Sequence, residues 1–249
     1  MEIAFAAALG AIIGSFLNVV VWRLPRGESL VTPPSQCPSC GKRIAPYDNI
    51  PIVSWVLLQG RCRHCGVRIS PRYPLIELLT AAAFGAVVAI RGFDSDLVLE
   101  LPFVAALIAL AGIDYDHKLL PNKIVYPTAA YGLVATVLVD RDDLVEHLIA
   151  GAGGFLFLLL AALAYPRGMG LGDVKLAGAM GLYLGLSIVP AMLVAFLAGT
   201  LVGLGIIARE GAQARKKAVP FGVFLALGGI VGVLAGPELI ELYEDRFLD

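Results

Sequence analysis

Long apolar runs separated by short polar and basic stretches set the pattern of this 249-residue chain. A helix needs about 20 apolar residues to cross the roughly 30 Å hydrocarbon core of a bilayer. The first such run covers 3–21, and others cover 74–90, 97–113, 124–139 and 146–165. The stretch 176–208 then stays apolar for 33 residues. As one helix, at about 1.5 Å per residue, it would be about 50 Å long and too long for a single crossing. The pattern therefore predicts a break at Ser187–Pro190, with two helices joined by a tight turn. A last run covers 220–235. The expected fold is an all-α polytopic membrane protein with about eight transmembrane helices. The first run lacks a basic leading region and an A-x-A-like end, so it reads as a retained span.

Composition sharpens this picture. Hydrophobic residues make up 58% of the chain and charged residues 16%, with a mean hydropathy of +0.82. That excludes an ordinary water-soluble fold and also disorder, because so apolar a chain has ample surface to bury. The net charge of −1 says little, but the placement of the basic residues says more. With the amino terminus outside, the inward loops are 22–73, 114–123, 166–175 and 209–219. They carry 16 of the 19 Lys and Arg residues, leaving only Arg91, Arg141 and Arg246 elsewhere. Positive charge favours the cytoplasmic side. A seven-span topology would put Arg209, Arg215, Lys216 and Lys217 on the wrong side. No overall basic excess points to nucleic acid. The expected organisation is a first helix (1–21), a cytoplasmic loop (22–73) and a helical membrane domain (74–249).

That loop holds all four cysteines, as Cys37-Pro-Ser-Cys40 and Cys62-Arg-His-Cys65. Paired C-x2-C units at this spacing suit a four-thiolate zinc site, and Gly41 and Gly66 permit the tight turns that follow each pair. Disulfides seldom persist on the cytoplasmic side, and a loop with few apolar residues gains its order from metal. Four thiolates leave no open coordination position, so the expected zinc is structural. Arg63 and His64, between ligands, read as solvated.

Carboxylates at membrane depth are costly and are functional candidates by default. Asp94, Asp96, Asp140, Asp142 and Asp143 fall in outer loops, and the acids at the carboxy terminus read as a solvated tail. Three others stand out. Glu77 lies one turn into the second apolar run, Asp114 ends the third, and Asp173 opens the sixth within Gly170-Leu171-Gly172-Asp173. The topology puts Asp114 and Asp173 at the same inner face. Two carboxyls sharing a water can hydrolyse a peptide, one drawing a proton from the water while the other, protonated, polarises the carbonyl. Asp173 also suits a helix start as a cap, whereas Asp114 at a carboxyl end is opposed by the macrodipole. That contrast makes Asp173 the expected base and Asp114 the expected acid. Asp116 and His117 read as interfacial. Two further readings stay open on residues alone: an ion-coupled transporter lined by Asp114, Asp173 and Glu77, and a zinc-organised docking protein. Transport sites usually sit near the midplane at a repeat interface, whereas these aspartates share one face.

Together the motifs resemble a known family. Gly14-Ser-Phe-Leu-Asn-Val-Val-Val-Trp-Arg-Leu-Pro25, Asp48-Asn-Ile-Pro-Ile-Val-Ser-Trp55, Gly60-Arg-Cys-Arg-His-Cys65, Ile69-Ser-Pro-Arg-Tyr-Pro-Leu-Ile-Glu77 and Gly170-Leu-Gly-Asp173 are similar to motifs of the bacterial type IV prepilin peptidases. Those are leader peptidases and N-methyltransferases of the GxGD aspartic-protease class. Val219 stands where many members have a second proline. Archaeal preflagellin peptidases share the aspartates but usually lack the cysteine loop. The resemblance implies Asp114 and Asp173 as the catalytic pair and a prepilin or pseudopilin substrate cleaved at the cytoplasmic face of the bacterial inner membrane. It also implies N-methylation of the new amino terminus with S-adenosylmethionine as methyl donor. The residues themselves show no glycine-rich nucleotide-binding motif; the methylation site is expected in the cysteine loop (22–73) and the adjoining helix ends, with Glu77 a secondary candidate contributor.

Overall fold

The computed structural model describes residues 1–139, 141–165, 169–211 and 219–247. Asp140, Arg167, Arg215, Lys216 and Lys217, used in the topology argument, lie outside the described residues. Nine α-helices are described: α1 (Glu2–Arg23), α2 (Val53–Leu57), α3 (Arg72–Arg91), α4 (Leu97–His117), α5 (Asn122–Val139), α6 (Leu144–Ala164), α7 (Leu171–Leu184), α8 (Ile188–Glu210) and α9 (Phe221–Phe247). No strand occurs among the described residues, and two isolated bridges are the sole extended pairings there. The chain divides into two compact units, Met1–Phe93 and Asp94–Asp249.

In the first unit α1 and α3 pack antiparallel. Lipid offers no hydrophobic drive between helices, so association relies on small residues that let backbones approach. Gly10 and Gly14 supply that contact, one turn apart on one face of α1. A Cβ at Gly10 would lie 2.6 Å from the Thr80 carbonyl oxygen, and one at Gly14 would lie 2.7 Å from the Glu77 Cα. Farther along, the buried Asn18 amide donates to the Tyr73 carbonyl at 3.1 Å. The segment between these helices is not one open loop. It holds two similar cysteine turns, a short α2, and the Trp55 ring, whose Nε1–H donates to the Ile69 carbonyl at 3.2 Å.

In the second unit α6 packs antiparallel on α7, α8 on α9 and α4 on α9. α5 runs parallel to α7, with Asn122 beside Lys175 and Gly132 beside Tyr183. Gly151 and Gly154 of α6 meet Gly178 and Ala177 of α7, and a Cβ at Gly154 would come 3.0 Å from the Ala177 carbonyl. Phe103, Leu107, Leu110 and Ile113 of α4, Leu176 and Met180 of α7 and Leu225 of α9 are fully buried and form the core. Phe103 stacks on Tyr183 at 4.2 Å.

Three boundaries depart from the sequence reading. The break in 176–208 falls at Gly185–Ser187, earlier than expected, and Pro190 sits in the first turn of α8. A first-turn proline loses no helical hydrogen bond. The bend is made instead by Gly185 at φ +51°. Glu146 accepts the Leu186 N–H at 2.8 Å, and the Thr136 hydroxyl donates to the Leu182 carbonyl at 3.3 Å. Second, α4 continues past Asp114 to His117, where Lys118 takes a left-handed conformation and closes the helix on the Asp114 carbonyl. Third, α9 runs on through Pro237, so the acidic tail is helical, although Glu238, Glu241, Glu244 and Asp245 are exposed. Six helical segments among the described residues are long and apolar enough to cross a membrane, the 171–210 segment being one of them despite its break. The eighteen-residue α5 is not among the six.

Candidate active site

Asp173 is the third residue of α7, behind the N-cap Gly170. Its Oδ2 accepts the Gly170 backbone N–H at 3.2 Å, and its side chain is buried, 9% exposed. Glycine has no side chain to accept the Asp173 N–H in return, and that amide donates to the Gly170 carbonyl at 3.1 Å instead. Gly172 makes room of another kind: a Cβ there would lie 3.0 Å from the Leu120 Cβ.

Asp114 is 5% exposed, on the last turn of α4. Its Oδ2 has no hydrogen-bond partner among the described residues. A buried polar atom without a partner requires an explanation, such as a catalytic role or a water. Asp114 faces the amino end of α9, whose Gly222 and Val223 amides lie near enough to favour its carboxylate. Gly222 is pressed against it, since a Cβ there would lie 2.8 Å from Oδ2 and 2.9 Å from the Leu120 Cδ2. Leu120 thus touches the glycine beside each aspartate. The two carboxyls are close enough for the charge of one to act on the other.

The structure therefore brings Asp114 and Asp173 together at one end of α4, α7 and α9. Gly222 and Leu120 complete the site and were not singled out by sequence. The available signal was Pro220-Phe221-Gly222 at the start of an apolar run, where a proline preceding a helix start marks an amino end that a carboxylate can use. Asp116 and His117 lie exposed at the end of α4. Nearby, the Lys175 ammonium donates to Asn122 Oδ1 at 3.1 Å and lies 5.3 Å from the Tyr126 ring centroid, tying α7 to α5.

Glu77 belongs to the first unit. It is 7% exposed, and its Oε2 accepts the Ile52 N–H at 2.7 Å.

The four cysteines of that unit converge. Their sulfurs all lie within 4.8 Å of one another, and Cys37 and Cys65 are 3.8 Å apart. With metal–sulfur bonds of about 2.3 Å, a tetrahedral thiolate site has sulfur edges of about 3.8 Å. A disulfide needs about 2.05 Å, and all four cysteines are free. Each pair is framed in the same way. Cys37 N–H donates to the Lys42 carbonyl and Cys62 N–H to the Val67 carbonyl, both at 2.9 Å. Gly41 at φ +67° and Gly66 at φ +70° then turn the chain. The backbone amides of Cys65 and His64 hold the Cys62 thiol down, to about 7. Arg63 makes a two-oxygen ion pair with Asp48, its Nε 2.8 Å from Oδ2, and this keeps the Asp48 carboxyl below its ordinary range.

Residues 8–91 match the family described as the bacterial peptidase A24 N-terminal domain, and 101–207 match the type IV leader peptidase family. A prepilin leader peptidase/N-methyltransferase of Burkholderia pseudomallei is 34% identical over 95% of this chain and 86% of its own length. A protein of the same name from Pseudomonas aeruginosa is 34% identical, covering 94% and 91%. One from Dichelobacter nodosus is 35% identical, covering 98% and 95%. No solved structure matches significantly. Both parts of the chain, and nearly the full length of its relatives, agree: it belongs to the type IV leader peptidase family.

Proposed function

We propose that this chain is a prepilin leader peptidase and N-methyltransferase, with Asp114 and Asp173 as the aspartic pair. The observation that carries the peptidase half is the meeting of two buried carboxyls from separate helices, one with an unpartnered oxygen. One carboxylate takes a proton from water as its oxygen attacks the scissile carbonyl. The other, protonated, donates to the carbonyl oxygen; collapse of the tetrahedral adduct breaks the C–N bond, and the amine leaves with a proton. Helix ends alone do not divide these roles. The amino end of α9 beside Asp114 offers it the same kind of dipole that α7 offers Asp173.

The substrates are type IV prepilins or pseudopilins, whose cleaved bond reaches the dyad at the cytoplasmic face of the bacterial inner membrane. The chain crosses that membrane eight times. Cys37, Cys40, Cys62 and Cys65 hold one structural zinc, a reading that the tetrahedral sulfur spacing supports. The ion orders the two cysteine turns and takes no part in bond breaking. S-adenosylmethionine supplies the methyl group for the new amino terminus. The cleavage dyad lies wholly within 94–249, so we assign methyl transfer to the unit 1–93, which corresponds to the separate N-terminal family match.

Co-expression with a prepilin, with the pilin amino terminus read by mass spectrometry, tests this. The native enzyme is expected to remove the leader and add one methyl. Asp114→Asn and Asp173→Asn should each leave the leader in place, while still methylating pilin supplied already cleaved. Leader removal without Asp114 would refute the dyad.

A further inference from the structure

Glu77 is a buried carboxylate with no part in the cleavage dyad. Burying a charge near a bilayer is costly, so a carboxylate there needs a function. Its partners are specific. Oε2 takes the Ile52 N–H at 2.7 Å, and the Ser15 hydroxyl of α1 also bonds the carboxyl. Ile52 is no ordinary loop residue. It holds φ +62° and ψ −52°, and the Val53 N–H reaches back to the Pro51 carbonyl at 2.5 Å. This is the rare, strained hand of the γ-turn, here built on a β-branched residue. Such strain persists only where the surroundings hold it, and it gathers at functional positions. The turn lies between the two cysteine pairs. Its neighbour Ser54 fastens the same corner, donating to the Tyr47 carbonyl at 2.9 Å.

We propose that Glu77 is a positioning residue for methyl transfer. By a charge-assisted bond to the Ile52 amide it holds the strained turn, and with it the cysteine loop, on the α1–α3 helix pair. A carboxylate suits the task because bonds from a backbone N–H to an ionised acceptor are about twice as strong as neutral ones. The inference rests on the assignment of methyl transfer to the unit 1–93.

The test compares full-length enzyme variants for zinc content, prepilin cleavage, and methylation of pre-cleaved pilin with S-adenosylmethionine. Glu77→Met keeps the helix and the volume but removes the acceptor. It should lower methylation at least about tenfold, with cleavage within about threefold and zinc retained, the size of effect expected when a distant support shifts reacting groups by a fraction of an ångström. Glu77→Gln keeps an acceptor oxygen and should retain most methylation. Ile52→Gly added to Glu77→Met should restore part of the loss, because glycine adopts this turn without the Cβ penalty. Ile52→Pro removes the same N–H from the loop side and, since proline cannot take φ +62°, releases the turn with it; it should reproduce the selective loss.

Several results would overturn the inference. One is methylation unchanged in both Glu77→Met and Ile52→Pro. Another is methylation and cleavage falling together in both. A third is Glu77→Gln as inactive as Glu77→Met with no recovery from Ile52→Gly, which would make Glu77 a chemical group and not a support. A native enzyme that cleaves but never methylates would overturn the two-activity reading along with it. Native methylation that survives these variants would overturn only the role of Glu77.

Discussion

Gly222→Ala tests the candidate site without altering either aspartate. The added Cβ would fall 2.8 Å from Asp114 Oδ2, 0.6 Å short of the 3.4 Å at which ordinary contact begins. It would also meet the Leu120 Cδ2 at 2.9 Å, so the side chain cannot simply swing toward Leu120. The Asp114 carboxyl must move by about half an ångström. A 1 Å misplacement of a reacting group can cost about 100-fold in rate, so the expected loss in kcat/KM is about 10- to 30-fold. That corresponds to roughly 1.4–2 kcal/mol of transition-state stabilisation. The assay is leader removal from purified prepilin in detergent, with thermal unfolding followed in parallel, because overpacking itself costs about 1–3 kcal/mol. Gly203→Ala is the control, since nothing lies within 4 Å of a Cβ there. Gly172→Ala, with its nearest contact at 3.0 Å on Leu120, should fall between the two. Full activity of a folded Gly222→Ala enzyme would refute the placement of Asp114 against the amino end of α9 in the working enzyme.

Other outcomes follow from the same geometry. Replacing Cys37 or Cys62 by Ser should release zinc during dialysis that the native protein withstands, measured by metal analysis, because the loop has little apolar surface to hold it without the ion. In metal-stripped protein at pH 7, iodoacetamide should modify Cys62 first, since the amides that hold its thiol at about 7, those of His64 and Cys65, belong to its own short turn and need no support from the rest of the loop. Lowering the pH well below 7 should erase that preference, as peptide mass mapping would show. Gly185→Ala should destabilise the protein by about 1–3 kcal/mol in thermal unfolding, because its φ of +51° penalises a Cβ that would also strike the Glu146 carboxylate.

The helices, their approximate bounds and the cysteine site were legible along the chain because each rests on local order. Hydrophobic run length reports a membrane crossing, and C-x2-C spacing reports metal geometry, with little help from distant residues. Asp114 and Asp173 were recognisable for a similar reason, as acids at the edges of apolar runs. Less legible was the position of the break before α8. A proline drew attention to 187–190, but Gly185 supplies the bend, and the Glu146 contact that holds it comes from another helix.

The sequence by itself determined where the long apolar helices lie, that four thiols share one loop, and which acids carry a cost at membrane depth. Those properties belong to single segments, and the energetics of burial decide them one segment at a time. The tertiary structure alone decided what each acid meets. It turned the amino end of α9 toward Asp114, set Leu120 between two glycines, and gave Glu77 to a strained backbone amide 25 residues away. Close approach of helices through glycine depends on register and crossing, which no local pattern encodes. A carboxylate's role follows from those neighbours, and so it emerged only once the helices were packed.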